Sequence, residues 1–167
     1  MFAFAAYTGV RRSEICRSQI DDFDFDENLI LLRERKRRKN LSATTRFVPM
    51  HPVLRQVMLH WFESHPGGQQ TLVLPLKMRG QKHRDEHLGV TPPKATIHFK
   101  TVLRGSKWEV VRGFHVLRHS FGSNLARTGK VSSEEVGKWM GHATDEMREL
   151  YQHLFPQDGL SKISVLA

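Results

Sequence analysis

The sequence of 167 residues has one cysteine, two tyrosines and no long uninterrupted apolar run. The single Cys16 excludes an internal disulfide framework and fits a reducing compartment. A membrane-spanning helix needs about 20 consecutive apolar residues, and no segment approaches that length. The apolar residues 1–7 lack the basic flank and cleavage-like end of a signal peptide. We therefore expect a globular, non-membrane protein located in the cytoplasm.

Acidic residues are fewer than basic residues in this sequence. There are 26 Lys+Arg against 17 Asp+Glu, which gives a formal net charge of +9. A basic excess of this size favours a polyanionic partner, although a basic protein without such a partner would show the same balance. The cations do not collect on one long amphipathic helix, which argues against a membrane-surface role.

Signals for a metal or a nucleotide are weak. His83 and His87 lie four residues apart, but charged residues surround them and no cysteine accompanies them, so we expect no zinc site. Gly67 and Gly68 lack the Lys-Ser/Thr pair of a phosphate-binding loop. The sequence therefore predicts a protein without metal or cofactor.

The hydrophobic pattern predicts an α+β fold that is mainly helical, with a small three-stranded antiparallel sheet near the N-terminus packed on a helical bundle. Strands are expected at residues 20–25, 29–32 and 46–50, with a further short strand at 71–74. Helices are expected at residues 1–7, 13–18, 53–62, 93–103, 115–128, 132–140 and 144–153. The first helix has no capping residue before it, which indicates a fragment of a longer polypeptide.

A run of cations lies between the second and third expected strands. Residues 33–39 contain six cations and one anion at the expected tip of a hairpin. Such a cluster is suited to binding phosphates through charge alone. The candidate DNA-binding residues are Arg33, Arg35, Arg37, Arg38 and Lys39.

Four segments match one pattern in content and order. They are residues 8–14 (TGVRRSE), the basic hairpin, residues 115–121 (HVLRHSF), and Gly141-His142 followed by Tyr151. Together they resemble the catalytic domain of the tyrosine recombinase family, the phage-integrase type of site-specific DNA strand exchanger. The resemblance extends from Thr8 to about His153.

The resemblance implies a reaction on a DNA phosphodiester. Tyr151 would attack the phosphorus and form a 3′-phosphotyrosyl intermediate, and a 5′ hydroxyl would then reseal the strand. Guanidinium groups suit such a site because their planar forks grip phosphate oxygens and stay charged. The resemblance assigns the phosphate-binding roles to Arg11, Arg118, His115 and His142, and the general-acid role to Lys36 or, because the hairpin is long, to Lys39.

Some assignments stay open at this stage. Glu14 is expected to orient the segment that carries Arg11, but Arg12 beside it leaves room for a one-residue error in register. His119 is expected to point away from the site and to be structural. A type IB-like topoisomerase would use the same residues, and a non-catalytic DNA-binding remnant would keep the basic surface.

The expected domain organisation is a single catalytic domain over residues 1–167, lacking the separate helical domain with which full members of the family clamp DNA. The implied partner is double-stranded DNA, at the nucleoid. We expect the full-length protein to form a tetramer on DNA, and this chain alone to be a monomer that binds DNA weakly and recombines poorly. The apolar residues 160–166 could pack on a neighbouring protomer or on their own chain.

Overall fold

The computed structural model describes residues 1–34, 45–65, 71–73 and 89–141. Six α-helices lie in these ranges: α1 (Phe2–Thr8), α2 (Arg12–Ile15), α3 (Pro52–Ser64), α4 (Pro92–Leu103), α5 (Phe114–Thr128) and α6 (Ser133–Met140). The same ranges hold a 3₁₀ turn at Ile20–Asp22 and the strands β1 (Phe23–Asp24), β2 (Leu29–Arg33) and β3 (Thr45–Pro49).

The three strands form one antiparallel sheet in the order β1-β2-β3. Ile30 pairs with Val48 and Leu32 pairs with Arg46, which places these four residues on the same face. Ile30, Leu32 and Val48 are fully buried. The inner face of the β2–β3 hairpin is therefore apolar until Arg46, while Phe47 on the outer face is 60% exposed.

A cluster of phenylalanines fixes α1 against α4 and α5. The ring of Phe2 stacks on Phe99 at 5.0 Å between centroids, and Phe99 meets Phe114 edge-on at 4.7 Å. Phe4 packs against Phe23 of the sheet at 5.4 Å. Burying each such side chain contributes about 1.5–3 kcal/mol, and this cluster anchors the first turn of α5, where His115 follows Phe114.

Two glycines in the left-handed conformation end the helices α1 and α6. Gly9 follows α1 with φ 61°, and Gly141 follows α6 with φ 64°. At the other end of α6, the Ser132 hydroxyl accepts a hydrogen bond from the Glu135 amide and the Glu135 carboxylate accepts one from the Ser132 amide. This capping box matches the helix start expected from the sequence.

The fold class agrees with the expectation, but two strand predictions differ in detail. Residues 20–22 form a 3₁₀ turn instead of the start of a strand, because the Asp22 carboxylate accepts a hydrogen bond from the Gln19 amide at 2.8 Å. The first strand is thereby reduced to Phe23–Asp24. At the further short strand, Thr71 forms an isolated bridge to Gln19.

No helix among the described residues is long and apolar enough to cross a membrane. Within the same ranges, no group of three or more His, Cys, Asp or Glu side chains is arranged to hold a metal ion. The predicted helix at residues 144–153 lies outside the described residues, as do His83, His87 and the Gly67-Gly68 pair.

Candidate active site

Arg11 stands at the N-cap of α2 and is oriented by Glu14, one turn along that helix. The Glu14 carboxylate accepts hydrogen bonds from the Arg11 amide (2.7 Å to Oε2) and from Arg11 Nη1 (2.9 Å to Oε1). Arg11 Nη2 donates to the carbonyl of Gly141 at 2.7 Å. Arg12 points in another direction and donates to Thr96 on α4. Of the two adjacent arginines, Arg11 is therefore the one that faces the end of α6.

Arg118 reaches the end of α6 from α5. The residue is 2% exposed, and its Nη1 and Nη2 donate to the carbonyls of Gly9 and Met140, each at 2.5 Å. A buried cation is costly unless polar groups surround it, and helix C-termini supply carbonyls with a partial negative charge. Because Met140 and Gly141 are consecutive, these bonds bring the guanidinium groups of Arg118 and Arg11 to the same helix end.

His115 lies at the exposed start of α5, one turn before Arg118. Its pKa lies below the ordinary value, first because partial burial disfavours the charged ring and then because of His119, Arg118 and Arg11. His115 is therefore mainly neutral at neutral pH and able to accept a proton. Contrary to the expectation, His119 points to this region, with its ring 4.2 Å from that of His115 between centroids and nearly perpendicular to it.

Arg46 is a member of the cluster that lies outside the sequence motifs. Its Nη2 and Nη1 donate to the two oxygens of Glu14 at 2.9 and 3.1 Å, and Nη1 also donates to Glu34 at 2.8 Å. Its Nε donates to the carbonyl of Trp139 at 2.7 Å. The signal available in the sequence is the two-residue period of β3, which puts Arg46 on the same inward face as Val48.

The Glu14 carboxylate stays ionised although it is buried. Burial by itself would raise its pKa, but the hydrogen bond and charge of Arg46, together with the Arg11 amide and guanidinium, lower the pKa below its ordinary value. Glu34 adds a second carboxylate, 3.9 Å from Arg11 Nη1. The site is thus a packed arrangement in which guanidinium groups alternate with carboxylates and helix-end carbonyls.

Arg33, predicted to contact DNA, has a partner within the chain. Its Nη2 lies 2.6 Å from Oδ1 of Asp22, whose side chain is fully buried, and its Nε donates to the same carboxylate at 2.8 Å. The Arg33 side chain is still 39% exposed. It lies on the outer face of β2, opposite the face that carries Leu32.

The other predicted site residues fall in two segments that the structure does not describe. These residues are Lys36, Arg35, Arg37, Arg38 and Lys39 in the first segment, and His142 and Tyr151 in the second. The structure does show which elements precede these two segments. The hairpin leaves β2 after Arg33, and the second segment leaves α6 after Gly141.

The sequence model of the phage integrase family matches residues 1–158. The chain belongs to this family, and the resemblance drawn from its motifs is confirmed. Tyrosine recombinase XerA of Thermococcus onnurineus is 25% identical over 143 residues, which are 86% of this chain and 46% of that protein. Tyrosine recombinase XerC of Xylella fastidiosa is 25% identical over 147 residues, covering 88% and 45%. The chain therefore spans about half the length of the curated relatives it matches.

Solved structures share the fold. The crystal structure of XerA recombinase superposes with a TM-score of 0.71 at 20% identity, covering 98% of this chain and 55% of that one. The Tn1549 transposon integrase in complex with transposon right-end DNA gives 0.72 at 17% identity, covering 99% and 57%. The catalytic domain of bacteriophage HP1 integrase gives 0.63 at 21% identity, covering 98% and 78%. These matches confirm the predicted tyrosine recombinase catalytic-domain fold.

Proposed function

We propose that this chain is the catalytic domain of a site-specific DNA recombinase that cleaves and rejoins strands through Tyr151. The observation that carries the proposal is the meeting of Arg11 and Arg118 at consecutive carbonyls at the end of α6, immediately before His142. These arginines lie 107 residues apart (118 − 11) in a chain that belongs to the phage integrase family. Two fixed guanidinium groups form a site for a phosphate, whose oxygens gain charge in the transition state.

In the cleavage step the phenol oxygen of Tyr151 forms a bond to the phosphorus, and the bond from phosphorus to the 5′ oxygen breaks. Arg11, Arg118 and His142 hold the non-bridging oxygens. The leaving 5′ oxygen takes a proton from Lys36, or from Lys39 if the long hairpin places that residue closer. His115, which the resemblance places among the phosphate-binding residues, is assigned here the role of the base instead: its surroundings keep it mainly neutral, and it accepts the phenol proton.

In the joining step the oxygen of a 5′ hydroxyl of another strand forms a bond to the phosphorus, and the bond from phosphorus to the Tyr151 oxygen breaks. The hydroxyl proton goes to the lysine that acted as the acid, and His115 returns its proton to the phenol. The aryl phosphate keeps the energy of the broken bond, so the cycle requires no nucleotide cofactor. Because each cleavage uses one tyrosine and two duplexes contain four strands, a complete exchange calls for four copies of the protein on DNA. In the cell, the protein would act in the cytoplasm, on DNA at the nucleoid.

The test is the capture of a covalent adduct. The chain is incubated with a pool of nicked DNA duplexes whose sequence is randomised around the nick, so that a short product diffuses away and the phosphotyrosine accumulates. Tyr151→Phe is expected to abolish the protein–DNA adduct seen in a denaturing gel, because phenylalanine has no nucleophilic oxygen. Tyr7→Phe is the matched control, since the ring of Tyr7 stacks on His51 at 4.6 Å and that contact does not need the hydroxyl, so this variant should retain the adduct.

Two results would overturn the proposal. The first is an adduct that persists in Tyr151→Phe, which would assign the nucleophile to another residue. The second is the absence of any adduct from unmodified protein that binds the same DNA, which would leave a DNA-binding domain without strand cleavage.

A further inference from the structure

Arg46 occupies a position where an apolar residue would be the simpler choice. It lies on the inward face of β3 in register with the fully buried Leu32, and its own side chain is only 9% exposed. Burying a cation costs several kcal/mol unless partners of opposite charge surround it. A buried arginine therefore needs its hydrogen-bonding partners, and the identity of those partners indicates its role.

The partners of Arg46 come from three different elements. Glu14 belongs to α2, Glu34 follows β2, and the carbonyl of Trp139 belongs to the last turn of α6. Glu14 is the same carboxylate that orients Arg11. One guanidinium thus connects the residue that positions Arg11 with the helix end that leads to His142.

Arg46 and its partner Glu34 pack closely against Gly141 and leave little free space there. A Cβ atom at position 141 would lie 2.4 Å from Oε1 of Glu34 and 2.9 Å from Nη1 of Arg46. The ion pair between Arg46 and Glu34 therefore rests directly on the backbone of Gly141, whose carbonyl accepts the hydrogen bond from Arg11.

We propose that Arg46 is a positioning residue for strand cleavage, which acts by fixing Arg11 through Glu14 and by holding the end of α6 against the β2–β3 hairpin. This inference rests on the proposed function. Arg46 is not assigned a contact with DNA, because four of its five N–H groups already donate to carboxylates and a carbonyl within the protein. Its effect would appear in the rate of the chemical step and not in the affinity for DNA.

Substitution by lysine and by glutamine separates this role from a general effect of charge. Lysine keeps the positive charge, but its single ammonium cannot reproduce a planar fork that reaches two carboxylates and a carbonyl at once. If Arg46 only contributed charge, Arg46→Lys would behave like the unmodified protein. If it positions the site, Arg46→Lys and Arg46→Gln would both be impaired. Arg55→Gln is the matched control, because Arg55 also donates to a backbone carbonyl, that of Phe25, away from the cluster.

The measurement is single-turnover adduct formation at saturating DNA, with the affinity obtained separately by gel shift. The substrate is the nicked duplex that the unmodified protein selects from the randomised pool. Both Arg46 variants are expected to lower the cleavage rate by about 10- to 100-fold, the effect of a small misplacement of catalytic groups. The Kd should stay within about twofold, and Arg55→Gln should match the unmodified protein.

The pH dependence of the cleavage rate provides a second readout. A general loss of stability would not shift the pH at which the activity is lost. Glu14 is faced by Arg11 on its own element, by Arg46 on β3, and by Glu34 across Arg46. Without Arg46, burial and the nearby Glu34 carboxylate would raise the pKa of Glu14. The Arg46→Gln variant should therefore lose its remaining activity at a higher pH than the unmodified protein as the solution is acidified.

A third readout does not depend on activity. Amide hydrogen exchange at residues 139–141 should become faster in both Arg46 variants relative to the core of α5, while Arg55→Gln leaves it unchanged. Exchange that rises equally throughout the chain, or a cleavage rate in Arg46→Lys equal to that of the unmodified protein, would overturn the positioning role. If the unmodified protein forms no adduct, the proposed function fails, and the exchange measurement still decides whether Arg46 holds α6.

Discussion

At the scale of single residues, the protonation of His115 depends on its neighbours. His115 and His119 lie one turn apart on α5, which brings their rings into contact. Partial burial is the main reason for the lowered pKa of His115, followed by the interaction with His119 and the charges of Arg118 and Arg11. A base next to two arginines is thereby kept neutral, which is the form that can accept a proton from a phenol.

Replacing His119 by glutamine is expected to raise the pKa of His115, because the repulsion between two protonated rings disappears. The pKa should remain below its ordinary value, since burial and the two arginines are unchanged. The measurement is an NMR titration of the imidazole Cε1 protons. His60→Gln is the control, because His60 lies on the exposed face of α3 beside Glu63. A pKa of His115 that is unchanged or lower in His119→Gln would contradict this account.

The residues of the site differ in how well sequence identifies them. Arg11 and Arg118 lie in short motifs whose order along the chain is characteristic, and family membership is confirmed. Arg46 follows seven residues after the end of the cation-rich run at residues 33–39, in a chain with 26 Lys+Arg, so its charge alone does not distinguish it. The two-residue period of β3 places Arg46 on the face of Val48, but the partners that it meets there follow from the packing of β2, α2 and α6, which is a tertiary property.

At the scale of elements, the C-terminus of α6 is a meeting point for three others. The carbonyls of Trp139, Met140 and Gly141 accept hydrogen bonds from β3, α5 and the start of α2, respectively. Helix ends leave carbonyls without partners inside the helix, and here three guanidinium groups supply them. The left-handed conformation of Gly141 turns the chain away at this point.

Gly141→Ala is expected to destabilise the fold more than Gly105→Ala. Both glycines have positive φ, 64° and 72°, so an alanine costs roughly 1–2 kcal/mol at either position. A Cβ at Gly105 would meet nothing within 4 Å, whereas one at Gly141 would overlap Glu34 and Arg46. Overpacking of this kind adds about 1–3 kcal/mol.

Urea denaturation of the two glycine variants measures this difference directly, with the unmodified protein as reference. Equal loss of stability in Gly141→Ala and Gly105→Ala would mean that the Arg46–Glu34 pair moves aside without cost. It would also weaken the argument that this pair is closely fitted to the helix end.

Elements with a regular apolar period are predicted well from the sequence. The expected helices at residues 93–103 and 115–128 agree with α4 and α5 to within one residue at each end. The strand prediction is wrong at residues 20–22 because apolar and acidic side chains mixed over residues 20–25 imitate a strand, while the Asp22 carboxylate bonds locally to the backbone. Such side-chain capping competes with sheet pairing and is not visible in a hydrophobicity pattern.

At the scale of the whole molecule, the net charge of +9 is distributed unevenly. The hairpin that leaves β2 carries a concentrated group of cations, whereas Arg127 lies twelve residues after His115 on α5, about 18 Å further along the helix axis. The described chain enters this group of cations at Glu34, which lies 3.9 Å from Arg11 Nη1. We therefore expect DNA held at the site to contact these cations more readily than the far end of α5.

Removing two cations from the hairpin is expected to weaken DNA binding more than removing Arg127 at the far end of α5 together with Lys130 just beyond it. The affinity of the Arg37→Gln/Arg38→Gln variant should depend less on salt, with the slope of log K against log salt reduced by about 0.9 for each lost phosphate contact. Arg127→Gln/Lys130→Gln changes the net charge equally and should leave the slope unchanged. Equal effects of the two double variants in a fluorescence titration would argue against a DNA path across the hairpin.

The three carbonyls at the end of α6 have a consequence for how this site tolerates sequence change. Since α6 is recognised there through main-chain oxygens, the side chains of Trp139 and Met140 are left to the demands of packing alone: Met140 is fully buried and Trp139 lies against the core. Homologues could exchange those two side chains for others of similar volume and keep every hydrogen bond to the arginines. Divergent sequences can in this way preserve one arrangement of charge. The hydrophobic side chains change, while the main-chain carbonyls keep the same hydrogen bonds.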